Sequence, residues 1–192
     1  MNPYFKPLDY KLLSQKTVYK GKRITVEELE YYNPRDDKQV HREHVLAGDA
    51  AVILAITEED EVIMIQEPRT PINLTVLAMP AGQIEKGEQA EVGAIRELEE
   101  ETGYLAGKMK KLREYFTSVG YTNEKISLFL ATDLKKTQRH LDATEDIQVI
   151  KIPMKELKEM LDKNEIITAS ATIALMHYFL YEKGEKNKDI SR

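Results

Sequence analysis

The chain has 192 residues, 42% of them hydrophobic, a formal net charge of −5 and no cysteine. That length supports one well-packed domain with a modest appendage, and the acidic balance argues against a general nucleic-acid or anionic-membrane binder. No apolar run approaches the roughly 20 residues that span a bilayer; MNPYFKPLDYKLL has no basic region before an apolar core and reads as no signal peptide, and the lack of thiols excludes disulfides and fits a reducing cytoplasm.

In chain order, residues 9–46 read as a β-meander. KTVYKGKRITVEELEYY alternates apolar and polar residues on either side of a turn at Lys20-Gly21-Lys22. Asn33-Pro34-Arg35-Asp36-Asp37 is a second turn signal, and strand character resumes over Val40–Leu46. Ala51–Ile56 and Glu61–Ile65 are apolar runs joined by a short acidic turn, a second hairpin. Pro68, Pro71 and Asn73 mark a loop before a strand at Leu74–Met79, which Pro80-Ala81-Gly82 ends. A helix is expected from about Glu88 to Thr102, with Gly103 placed as its C′ residue. Strands follow at about Leu112–Thr117, Ile126–Thr132 and Ile147–Ile152. Two closing helices are expected over Met154–Lys163 and roughly Ala169–Tyr181, and the polar tail from Gly184 to Arg192 reads as frayed. Strands interleaved with few helices predict an α/β fold with a mixed sheet.

The central helix conflicts with itself. From Glu88 to Glu101 it carries six glutamates and one basic residue, Arg96. Glu97 pairs with Glu101 at i,i+4 and with Glu100 at i,i+3, so like charges share a face, and they crowd the end where the helix dipole disfavours anions. On a helical wheel Glu97, Glu100 and Glu101 fall within an arc of roughly 100°. Ala94, Ile95 and Leu98 form the neighbouring face, which would pack on the sheet. Gly93 lies within the carboxylate arc at a cost of about 1 kcal/mol relative to alanine, so something must approach the backbone there. Arg96 can hold Glu100 as an i,i+4 pair. Two readings stand beside each other: a solvated glutamate-rich face, or a site for a hard divalent cation. Solvated faces normally interleave lysines, and none occurs between Lys86 and Lys108. A hard cation takes carboxylate oxygens and keeps waters that leave room for phosphates.

The run GQIEKGEQAEVGAIRELEEETGY decides between them. It resembles the signature of the Nudix hydrolases: Gly82, five residues, Glu88, seven residues, Arg96-Glu97-Leu98, one residue, Glu100-Glu101, one residue, Gly103. Every fixed position matches; Tyr104 fills the last slot, where an aliphatic residue is usual. The resemblance implies an α/β/α sandwich with a mixed sheet, and hydrolysis of a nucleoside diphosphate linked to another group. It implies Mg²⁺ or Mn²⁺ held by Glu97, Glu100 and Glu101 together with the Ala81 carbonyl, with Arg96 orienting the carboxylates and Glu88 supporting the loop. The glutamates are read as exposed and mutually repelling.

Beyond the signature, the chain is similar over most of its length to the branch that cleaves ADP-ribose and nucleoside diphosphate sugars. The N-terminal strands, Met79–Gly82, Thr117–Ala131 and Ile167–Leu180 carry that similarity. It implies substrate contacts from Ser118, Glu124, Gly82, Arg69 and Arg42, the two arginines also being readable as plain surface residues. Val119 stands where that branch has proline, and Ala78 where it often has an acid. In LDATEDIQV the resemblance points to Glu145 as a further ligand; the general base is left among Glu145, Asp142 and Asp146, or is not needed. Tyr31 and Tyr32 are base-stacking candidates or cross-strand packing, and the four histidines read as structural. GDP- or UDP-sugars, dinucleotides, and a non-catalytic nucleotide sensor are the alternative functions.

The expected organisation is a dimerising meander over 1–46, the hydrolase domain over 47–184 and a flexible tail over 185–192. Too few strands precede residue 47 to bury their own core. The face bearing Val18, Ile24 and Val26 must then be covered, by the main domain or by a second subunit. The resemblance favours a homodimer, with a nucleoside diphosphate sugar as the other partner and neither nucleic acid nor membrane.

Overall fold

Strand β4 (Ala50–Ile56) is apolar at every position, because both of its faces are covered. Its even residues Val52, Leu54 and Ile56 enter one core cluster, and its odd residues Ala51, Ile53 and Ala55 enter another. The neighbouring strand β9 (Lys125–Lys136) divides the same way, Ile126 and Leu128 to one side, Phe129 and Ala131 to the other. The first cluster is completed by Met154, Leu157, Ala171, Ala174 and Leu175 from helices α2 (Met154–Asp162) and α3 (Ala169–His177). The second is completed by Ala94 and Leu98 from α1 (Ala90–Thr102). Helices therefore pack on both sides of one sheet, the α/β/α arrangement that the signature implies.

The computed structural model describes residues 4–141, 143 and 146–183; the tail read as frayed lies outside them, as do Asp142 and Glu145. The sheet runs in the order β10 (Gln148–Pro153), β5 (Glu61–Arg69), β4, β9, β8 (Tyr104–Phe116), with β6 (Leu74–Ala78) on β5 and β7 (Ala81–Gln83) on β4. It is mixed: β4 runs parallel to β9 but antiparallel to β5 and β7. Among the described residues no helix is long and apolar enough to cross a membrane.

The chain divides into two compact units, Met1–Asp49 with Phe116–Lys125, and Ala50–Tyr115 with Ile126–Arg192. The first holds an antiparallel sheet of β1 (Lys11–Lys20), β2 (Ile24–Asn33) and β3 (Lys38–Ala47). The β2–β3 turn is set by Asn33, whose Oδ1 accepts the Arg35 N–H at 3.1 Å, and by Asp37 in the left-handed region. Tyr31 lies between Tyr10 and His44, 6.3 Å from each ring, and Tyr32 donates to Asp37, so both tyrosines serve the sheet. Every residue of β1 is exposed, and Val18 and Ile24 stay open to solvent.

Three expectations need correction. Strand β8 begins at Tyr104, not Leu112, because Lys108, Lys110 and Lys111 belong to an exposed edge, where lysine guards against strand addition. Helix α1 starts at Ala90, because the Glu88 carboxylate is engaged in the loop before it. Ile95 is half-buried outside both clusters, and with Val92, Arg96, Glu99, Glu100 and His140 it lines a surface groove of about 410 Å³. Leu98→Ala should therefore cost about 2–5 kcal/mol in a denaturant titration, whereas Ile95→Ala should cost about 1 kcal/mol or less. Equal losses at the two positions would contradict this packing.

Candidate functional site

The site is built where the short strand β7 meets α1. The Pro80 carbonyl accepts the Ile53 N–H at 2.9 Å, and Ala81, Gly82 and Gln83 pair with Val52, Ala51 and Ala50. The loop is thus fixed to the central strand before the helix begins. A Cβ at Gly82 would stand 2.0 Å from the Glu97 Cδ, so only glycine leaves room for that carboxylate against the loop. At Gly93 the group that approaches the backbone is Glu88: a Cβ there would meet its Oε2 at 2.9 Å.

Arg96 is the hub. Its Nε and Nη2 donate to the two oxygens of Glu88, both at 3.1 Å, in a bidentate fork. Its Nη1 reaches Glu97 Oε1 at 2.7 Å and Glu100 Oε2 at 3.0 Å, and its Nη2 also reaches the Gln83 carbonyl at 3.0 Å. One guanidinium thus ties three carboxylates and the loop backbone together. The hydrogen bond from Arg96, helped by the Glu85 N–H, holds the Glu88 carboxyl below the ordinary glutamate value. Glu88, then Glu97 and Glu100, raise the guanidinium well above its own, so Arg96 stays charged.

Glu101 differs from its neighbours and from expectation. It is 4% exposed, and its Oε2 accepts the Ala81 N–H at 2.9 Å. A buried carboxylate, not a solvated one, therefore closes the site against the loop. The last turn of α1 is secured by a residue the sequence did not single out: Arg139 donates through Nε to the Glu101 carbonyl at 2.6 Å and through Nη2 to the Ile147 carbonyl. No motif marks Arg139, because its role is set by a backbone approach between distant segments.

The structure brings together Ala81, Gly82, Glu88, Arg96, Glu97, Glu100 and Glu101. Arg69 lies in the same unit, exposed and paired with Glu67. Arg42, Ser118 and Glu124 belong to the first unit. Arg42 donates to the His41 carbonyl, the Ser118 carbonyl accepts the Tyr121 and Thr122 N–H groups, and the Glu124 carbonyl accepts the Thr117 N–H. Asp146 is exposed; Asp142 and Glu145 lie outside the described residues. The donor set of carboxylates with the Ala81 carbonyl suits a hard divalent cation. Among the described residues no three acidic or imidazole side chains converge as ligands in the present rotamers. Arg96 takes Glu97 and Glu100, and the loop N–H takes Glu101.

Against this geometry, a NUDIX domain model matches residues 47–172. The chain is 34% identical over 187 residues to an ADP-ribose pyrophosphatase of Bacillus subtilis, covering 95% of this chain and all of the relative. It is 32% identical to a methanol dehydrogenase activator of Bacillus methanolicus, covering 92% and 96% of the two chains. A solved structure of an ADP compounds hydrolase shares the fold with a TM-score of 0.83 at 23% identity, covering 95% of this chain and 98% of that one.

The depressed Glu88 carboxyl makes an acid limb. Its contribution is complete above the unfolded value of 4.5 and is lost as the pH falls through the lower folded value. Stability measured between pH 6 and pH 3 should therefore fall less steeply in Glu88→Gln than in the parent; parallel curves would contradict the coupling to Arg96.

Proposed function

This chain belongs to the Nudix family, and from that premise we propose that it hydrolyses the pyrophosphate bond of ADP-ribose or a close nucleoside diphosphate sugar. The products are a nucleoside monophosphate and a sugar phosphate. The observation that carries the reading is the fixed carboxylate cluster of Glu97, Glu100 and Glu101 against the Ala81–Gly82 loop. Full-length likeness to an ADP-ribose pyrophosphatase supports the substrate.

Glu97, Glu100, Glu101 and the Ala81 carbonyl would hold Mg²⁺ or Mn²⁺, and Glu145 is proposed as a further ligand. Bound there, the cation neutralises pyrophosphate oxygens and lowers the pKa of water. Arg96 keeps the Glu97 and Glu100 carboxylates aligned by donating to both. Glu88 orients Arg96 through the bidentate fork and anchors the loop through the Glu85 N–H. The Ala81 N–H keeps the Glu101 carboxylate directed at the loop, and Gly82, proposed as a substrate contact, leaves space for the Glu97 carboxylate. Arg69, Arg42, Ser118 and Glu124 are proposed substrate contacts, the arginines as phosphate partners. A general base accepting the proton of the attacking water would be one of Glu145, Asp142 and Asp146, unless metal-bound water needs none.

A second reading is favoured by the likeness to the methanol dehydrogenase activator: the chain binds a nucleotide and stimulates a partner enzyme. An intact carboxylate set argues for turnover, which the sensor reading does not require. We place the protein in the cytoplasm as a homodimer. The support for the dimer is the exposed β1, with Val18 and Ile24 uncovered, since a closed two-fold pair would bury such a face and its strand edges.

Glu100→Gln and Glu101→Gln should each remove most Mg²⁺-dependent cleavage of ADP-ribose while remaining folded. The amide keeps an oxygen acceptor for Arg96 or for the Ala81 N–H but weakens the metal ligand. Parent protein should also melt at a higher temperature with millimolar Mg²⁺ or Mn²⁺, and Ca²⁺ should bind yet support slower hydrolysis. Near-parental turnover in both variants would sink the ligand assignment. Light scattering at micromolar concentration should give twice the chain mass of 22.1 kDa; the single-chain mass rules the dimer out.

A further inference from the structure

An α-helix leaves its last carbonyls without partners inside the helix, and in α1 two of them belong to the proposed ligand residues Glu100 and Glu101. The Gly103 N–H closes the Glu99 carbonyl at 2.8 Å, as a C-terminal glycine commonly does. The next two carbonyls are taken by a segment that follows β9. The His140 N–H donates to the Glu100 carbonyl at 3.0 Å, and the Arg139 Nε donates to the Glu101 carbonyl at 2.6 Å. The Thr137 N–H adds a bond to the Gly103 carbonyl at 2.8 Å. A Cβ at Gly103 would stand 3.3 Å from the Arg139 nitrogen and 3.5 Å from its Cβ. The glycine that its φ of 70° demands thus also admits the arginine backbone.

We infer that Arg139 is a positioning residue for the metal-binding helix, an inference that rests on the reaction proposed above. Glu101 is fixed at both ends, its carboxylate by the Ala81 N–H and its carbonyl by Arg139. Arg139 also grips the Ile147 carbonyl, one residue before β10, so a single guanidinium bridges the helix end and the start of an edge strand. Its rigid fork supplies two divergent N–H groups; a lysine ammonium can satisfy one carbonyl but cannot span both. The cation also sits at the negative end of the helix dipole, where Glu100 and Glu101 are disfavoured. Removing it frees the last turn to shift, and ligand oxygens lose their fixed separation from Ala81.

Arg139→Lys and Arg139→Gln test this in the full chain. The readouts are the metal-free melting temperature, Mn²⁺ affinity by calorimetry, and kcat and KM for ADP-ribose with Mg²⁺. The lysine variant should keep a near-parental melt while its Mn²⁺ affinity and kcat fall about 10- to 100-fold, the range for groups that orient metal ligands, and its KM barely changes. The glutamine variant should lose at least as much. A folded lysine variant with parental Mn²⁺ affinity and kcat overturns the inference. So does failure of both variants to fold, which would make Arg139 a purely structural cap. Parent protein that binds Mn²⁺ but leaves ADP-ribose intact defeats the proposed substrate, and the Mn²⁺ comparison then decides Arg139 alone. Parent protein that binds no Mn²⁺ defeats both readings.

Discussion

The arrangement depends on one guanidinium. Helix α1 carries Glu97, Glu100 and Glu101 on one face with no lysine among them, and like charges three or four residues apart on a helix repel. Arg96 offsets this repulsion by distributing its donors over Glu88, Glu97 and Glu100. Its bond to the Gln83 carbonyl adds a second function, fastening the helix to the loop that follows Gly82. A lysine could neutralise one carboxylate, but it could not hold three carboxylates and a carbonyl in a fixed relation. The charge balance and the geometry are therefore one constraint, met by one side chain.

That constraint explains the layering beneath it. The loop holding Gly82 is a strand of three residues, too short to be stable alone, so it borrows its geometry from β4. β4 can lend it because it is buried on both faces and continued in register by β9. Alanines at positions 51 and 55 lie on the face that α1 covers, together with Ala94 and Leu98 of the helix. The loop backbone is thus anchored to a strand whose residues from Ala51 to Ile56 are all buried.

What the sequence reveals about such a site follows from which interactions are local. The carboxylate set, Arg96, Gly82 and the end of α1 at Gly103 were legible, because each is a matter of spacing along one helix or its adjoining loop. The apolar runs of β4 and β5 were legible for the same reason. Strand β8 was not, since GKMKKLRE carries the polarity of an exposed edge and little apolar alternation. The burial of Glu101 was invisible, because its partner is a backbone N–H 20 residues away. Ile95 lies outside the covered face, since a wheel gives the angular neighbours of a residue but not where the covering layer ends. Arg139 left no trace at all: it binds carbonyls, which every residue has.

Helix α1 breaks several local rules, and the breaches share a cause. It has a glycine in its interior, no side-chain bond at its N-cap, and acids with no basic residue in its last turn. Each should cost helix stability on its own. In the fold each breach meets a contact from outside the helix or from the loop before it. Gly93 admits the Glu88 carboxylate, the start of the helix is held through Glu88 and Arg96, and the acidic end is held by Arg139 and His140. A sequence selected only for a stable helix would place alanine at position 93 and lysine in the last turn. Either change would remove the space or the charge pattern on which the proposed cation and pyrophosphate site rests. The local frustration and its tertiary compensation therefore belong together, as expected where a fold gives up local consistency for a reactive centre.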